Sequence, residues 1–243
     1  MLTVTGLSDA EYVISSVALS IDEYYAGVGE SPGVWSGKRA EKLGLVGMVE
    51  ADQLRALVEG RGPTTGEELL GGSRPRSAKA FDLTFSSPKS VSLLWAFGTD
   101  AVAGVVAEAH REAVEVALAF LKERAAAARV QIDGVRRRVG TEGWAVAGFV
   151  HRTSREGDPQ LHTHCVVPNL VRRETGGRYV ALDAGRSSTG AGRPGLSTRA
   201  SCNARCPCAS VSSGGRTVTT PVNCSVSAVT AASVLQARRP DRS

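Results

Sequence analysis

Three of the chain's four histidines fall between His151 and His164, and their spacing admits few folds. His162 and His164 are two residues apart in the run His-Thr-His-Cys-Val-Val. On a strand both therefore project from one face. Between them and His151, the segment Glu156-Gly157-Asp158-Pro159 is turn chemistry. A hairpin folded between Gly157 and Asp158 sets His151, near the end of the preceding strand, opposite the pair. Three imidazoles then meet on one face of an antiparallel sheet. A single histidine is more often a core or surface residue. Three that converge and leave coordination positions open form the arrangement of a catalytic metal centre, one that can polarise a phosphate oxygen.

The surrounding pattern supplies the sheet. Strand-like segments are Leu2–Thr5, Ala80–Phe85, Val130–Val139, Trp144–Thr153, His162–Val171 and Arg178–Leu182. Helical spacing marks Ser8–Ile21, Ala51–Glu59, Pro88–Phe97 and Asp100–Ala128. Helices grouped between strands predict an α+β, two-layer sandwich, with a central antiparallel sheet of about five strands and helices on one side.

Ala80–Phe85 alternates, with Phe81, Leu83 and Phe85 on one side and Asp82 and Thr84 on the other. Aspartate is disfavoured in mid-strand. Asp82 is either a solvent-facing polar residue or part of the metal face. On that face it would orient a ligand histidine or help to deprotonate a nucleophile. Ser87 suits an N-cap and Pro88 the first helical position. Lys89 would add charge at that helix start, where a phosphate can dock.

Of the four tyrosines, Tyr24 and Tyr25 are adjacent and precede a glycine-rich stretch, and Tyr12 lies upstream. A phenol attacks poorly at neutral pH unless a polarised phosphate and a nearby base assist it. A tyrosine pair also packs readily between a helix and a loop. Arg152 and Arg155 flank the histidine hairpin. With Lys38-Arg39, Arg136-Arg137-Arg138 and Arg172-Arg173 they could track a single-stranded backbone, and Trp35 and Trp144 could stack on bases.

Net charge is a poor guide here. Residues 181–243 hold eight arginines, two aspartates and no lysine or glutamate, so they account for more than the whole net charge of +5. They also lack aromatics, isoleucine and methionine. Residues 184–243 read as a disordered tail, or as a GC-rich gene translated out of frame. Four of the five cysteines lie there, at spacings that fit no familiar zinc pattern. No apolar run approaches the roughly 18 residues of a membrane span. The N-terminus has no basic region before its apolar stretch, so a cytoplasmic, uncleaved protein is expected.

Three blocks carry a specific resemblance: Tyr24–Leu45, Phe81–Leu93 and Phe149–Asn169, the last including Asp-Pro-Gln-Leu-His-Thr-His. In this order they resemble the N-terminal domain of MobF-type (TrwC/TraI-like) conjugative relaxases, histidine–hydrophobe–histidine endonucleases. The resemblance covers about residues 1–183, an incomplete relaxase domain. It implies His151, His162 and His164 as ligands of a divalent metal, Mg²⁺ or Mn²⁺, although three imidazoles by themselves suit Zn²⁺ better. It implies Asp82 in the active site, and a nucleophile among Tyr24, Tyr25 and Tyr12, of which Tyr24 matches best. The implied reaction is strand transfer on single-stranded or cruciform transfer-origin DNA through a 5′-phosphotyrosine, with other relaxosome proteins as partners. A rolling-circle replication initiator shares this chemistry, and an inactive DNA- or metal-binding fragment is the non-enzymatic alternative.

Overall fold

The computed structural model describes residues 1–9, 32–71, 76–154 and 156–182. The expected helix at Ser8–Ile21, the three tyrosines Tyr12, Tyr24 and Tyr25, Arg155 and the 184–243 tail lie outside the described residues, wholly or from residue 10 on. Among the described residues no helix is long and apolar enough to cross a membrane.

Five strands form one antiparallel sheet: β1 (Leu2–Leu7), β2 (Val34–Ser36), β3 (Ala80–Ser86), β6 (Val146–Thr153) and β7 (Pro159–Pro168). Their order is β1-β3-β7-β6-β2. The two histidine strands are thus central, and β3 reaches β7 from far away in sequence.

Alternation gives the sheet two apolar faces. On one, Leu83, Phe85, Cys165 and Val167 pack with Val114, which belongs to the long helix α4 (Asp100–Ala125). Helix α3 (Lys89–Phe97) precedes α4, so these two form the expected helical layer. On the other face, Ala80, Ala147, Phe149 and Val166 pack under Leu54, Leu57 and Val58 of helix α2 (Ala51–Glu59). That i, i+3, i+4 stripe covers only one end of the face. The end carrying His151, His162 and His164 is left half-buried. A short helix, α1 (Lys38–Lys42), follows β2.

Several local expectations are corrected. The single strand expected over Val130–Val139 is a hairpin of β4 (Ala127–Ile132) and β5 (Val135–Gly140). Its two-residue turn, Asp133-Gly134, has φ of 50° and 79°. Positive φ at both positions is the geometry that Asp-Gly favours between twisted strands, so the signal was present in the sequence. Helix α3 begins at Lys89 with Pro88, not Ser87, as its N-cap. Trp35 is buried in the core with Nε1 donating to Gln53 Oε1 at 3.1 Å, so it is no base-stacking platform. Trp144 is buried as well. The remaining strands, β8 (Val171–Arg172) and β9 (Tyr179–Val180), form a separate ribbon.

Candidate metal centre

The hairpin turn is held by Ser154, whose Oγ accepts from Glu156 N and Asp158 N at 3.3 Å each. Its own N–H donates to Asp158 O at 2.8 Å. From this anchor the ladder runs back with a register shift between His151 and Thr153, which sets His151 directly opposite His162 and Phe149 opposite His164. All three imidazoles share one face. Ring centroids lie 5.2 Å apart for His151–His162, 4.9 Å for His151–His164 and 5.0 Å for His162–His164. One ring nitrogen from each can be chosen so that all three lie within 4.8 Å of one another.

Hydrogen bonds fix which nitrogens face inward. His164 Nδ1 lies 2.8 Å from Asp82 Oδ2 and donates to it. His162 Nδ1 donates to the Gln160 carbonyl at 2.9 Å. Both rings therefore keep Nε2 as the lone-pair nitrogen, the usual device by which an outer carboxylate or carbonyl sets a ligand's tautomer. Asp82 comes from β3, where Thr84 pairs with His164 and Ser86 with His162. Thr84 Oγ1 donates to the same Oδ2 at 3.2 Å, which holds the carboxylate in place. Asp82 Oδ1 is buried without a hydrogen-bond partner, so its negative charge sits beside the imidazoles incompletely compensated.

Burial, then the neighbouring His164 and His162, push His151 down to about 4. His162 is lowered too, chiefly by burial. Both rings are thus neutral at pH 7 and able to donate to an ion. Neutral imidazole donors and an adjacent carboxylate fit a divalent cation. Three imidazoles on an open sheet face could hold such an ion and leave coordination positions free, the arrangement of catalytic rather than closed structural sites.

Of the other sequence candidates, Lys89 and Arg152 are among the described residues, and both lie where the histidine hairpin meets α3. Lys89, at the first turn of α3, forms an exposed ion pair with Asp158 at 3.4 Å. It therefore lies against the histidine hairpin. Arg152 on β6 lies over the ring of Trp95 on α3, 5.8 Å from its centroid. Sequence reasoning assigned Thr84 no role, although it donates to the Asp82 carboxylate. An alternating polar residue two positions after Asp82 was the available signal for Thr84.

Comparisons with known proteins agree with this geometry. Residues 8–200 match the TrwC relaxase family. Two relatives from Escherichia coli are each described as multifunctional conjugation protein TraI. That of strain K12 is 40% identical over 153 residues, covering 62% of this chain and 8% of its own length. The other is 39% identical over 178 residues, covering 72% and 10%. A metal-bound structure of conjugative relaxase TrwC in complex with OriT DNA is 35% identical, with a TM-score of 0.63 over 75% of this chain and 61% of that one. TrwC complexed with a 27-mer DNA comprising the recognition hairpin and the cleavage site is likewise 35% identical, with a TM-score of 0.60 over 75% and 60%. The chain belongs to the TrwC relaxase family. It spans about a tenth or less of the TraI relatives' length.

Proposed function

We propose that residues 1–183 form a relaxase domain that nicks one strand of a plasmid transfer origin to start conjugative transfer, with residues 184–243 lying outside that domain. The observation that carries this is the convergence of His151, His162 and His164, with Asp82 fixing His164. The substrate class follows from the relatives, TraI being a conjugation protein and TrwC being solved on OriT DNA. The three histidines would hold a divalent cation, with Mg²⁺ or Mn²⁺ the family expectation. A bound cation supplies polarisation of a phosphate oxygen and stabilises the charge that develops there.

The chain's own residues do the rest. A tyrosine hydroxyl, Tyr24 by its match to the family motif or else Tyr25 or Tyr12, attacks the phosphorus. The phenol loses its proton, the bond to the 3′ oxygen breaks, and that oxygen leaves as a free 3′-OH. The 5′ side stays on the protein as a phosphotyrosine. Asp82 acts through His164, the role its 2.8 Å bond favours over direct deprotonation of the nucleophile. Lys89, Arg152 and Arg155 steer the backbone of single-stranded or cruciform DNA along the histidine hairpin.

The test is cleavage of a labelled single-stranded transfer-origin oligonucleotide with Mn²⁺ or with EDTA. Wild type is compared with Tyr24→Phe, Tyr25→Phe, Tyr12→Phe and His162→Ala. The expected result is a metal-dependent covalent protein–DNA adduct, lost in His162→Ala and in one tyrosine variant. A folded, metal-binding protein that forms no adduct would refute the nicking activity and leave an inert DNA- or metal-binding fragment.

A further inference from the structure

The fourth histidine lies on the other side of the sheet. His110, on α4, is 2% exposed and makes hydrogen bonds through both ring nitrogens. Its Nδ1 is 2.9 Å from Ser87 Oγ and its Nε2 is 2.9 Å from Thr163 Oγ1. Both hydroxyl residues are buried. Neutral imidazole donates from one nitrogen and accepts at the other, so the two hydroxyls complete it without a charge.

The placement of these partners is specific. Thr163 stands between His162 and His164 on β7 and points to the opposite face. Ser87 directly follows Ser86, which pairs with His162. Ser87 N–H also donates to Leu161 O at 3.0 Å. Leu161 N–H donates to the hydroxyl of Ser92 at 3.0 Å, and Ser92 is fully buried on α3. The two strands that carry His162, His164 and Asp82 are thus pinned from behind, at the residues next to the ligands, to the helical layer. An apolar side chain would fill the His110 site without the cost of burying an imidazole. A fully satisfied buried network gives, in exchange, one defined position for the groups it touches.

We propose that the Ser87–His110–Thr163 strut is a positioning element for the metal centre, setting the separation and orientation of His162 and His164 from the far side of β7. This rests on the reading of the three histidines as metal ligands. His110 lies on the helical side of the sheet, bonded to Thr163 rather than to the three histidines. The strut acts through the backbones of β3 and β7.

The test uses the full chain with Mn²⁺ titrated calorimetrically, and Cu²⁺ as a spectroscopic probe of the imidazole ligands by electron paramagnetic resonance. Thr163→Val is nearly isosteric and deletes the hydroxyl, Thr163→Ser keeps it, and His110→Leu removes the imidazole. Thermal melting is followed in parallel. Thr163→Val and His110→Leu are expected to weaken Mn²⁺ binding about tenfold, the low end for outer partners of metal ligands. Their Cu²⁺ hyperfine spectra should broaden, Thr163→Ser should stay close to wild type, and the double variant should bind no worse than either single one. Melting temperature need not follow: His110→Leu that melts at or above wild type yet binds metal weakly separates positioning from stability. Wild-type affinity and spectra in both Thr163→Val and His110→Leu would overturn the strut's role. A wild-type protein that takes up neither ion would instead overturn the metal reading. The metal-free protein still discriminates in that case: Thr163→Val should shift the imidazole nitrogen resonances of His162 and His164, and unchanged resonances would overturn the strut as well.

Discussion

Replacing Asp82 by asparagine isolates one bond of the candidate metal centre. The carboxylate accepts from His164 Nδ1 at 2.8 Å and from Thr84 Oγ1 at 3.2 Å, and its side chain is 17% exposed. An asparagine of the same shape keeps an oxygen acceptor but loses the charge. A hydrogen bond to an ionised acceptor is about twice as strong as a neutral one, a difference of about 1–1.5 kcal/mol. His164 then becomes a poorer donor to an ion by a similar amount, which is about tenfold in affinity. Asp82→Ala removes the acceptor and frees the ring to change tautomer, so its loss should approach about 100-fold. Calorimetric titration with Mn²⁺ at pH 7.5 reads both numbers directly. Adduct formation at saturating Mn²⁺ then reports what remains once the site is filled, and Asp82→Asn should recover most of its activity. If Asp82→Asn binds Mn²⁺ like wild type yet nicks far more slowly, the reasoning fails, and Asp82 acts on the nucleophile rather than through His164.

Acid should destabilise the metal-free protein through its buried imidazoles. Burial pushes His110 down to about 4 from 6.5, so its contribution is complete above pH 6.5 and is lost as the pH falls towards 4, about 2 kcal/mol of it between pH 7 and pH 5. Urea unfolding at the two pH values should show that difference, and His110→Gln should reduce it. Gly37 has φ of 94°, and a Cβ there would lie 2.7 Å from the Trp144 carbonyl oxygen. Gly37→Ala should therefore cost about 2–3 kcal/mol, read as a lower melting temperature. Leu54 is fully buried under the sheet, and Leu54→Ala should cost about 2–5 kcal/mol while Mn²⁺ affinity stays within twofold, because α2 covers the other end of that face. Lys89→Ala should weaken single-stranded DNA binding regardless of sequence and lower the slope of log affinity against log salt by about 0.7.

The hairpin was legible in the sequence because strand geometry is local. A period of two puts His162 and His164 on one face, and the turn residues Glu156 to Pro159 bring His151 back across from them. The same parity marked Asp82 as facing away from Phe81, Leu83 and Phe85. What the sequence could not decide was whether Asp82 meets these histidines. That depends on β3 lying against β7 in one register, Thr84 opposite His164, across about eighty residues of chain. A one-residue slip would turn Asp82 into the helical layer, and only packing of the apolar residues on both faces excludes it. Local signals also misled where two features overlapped. Ser87-Pro88 reads as a helix cap, yet the Ser87 hydroxyl is drawn to His110, a partner no local pattern could reveal. The identity of the candidate metal-binding groups is thus written in short-range spacing. Their tautomers, their burial and their support from behind the sheet come from contacts between distant segments, which exist only once the sheet and its helices close around a common core.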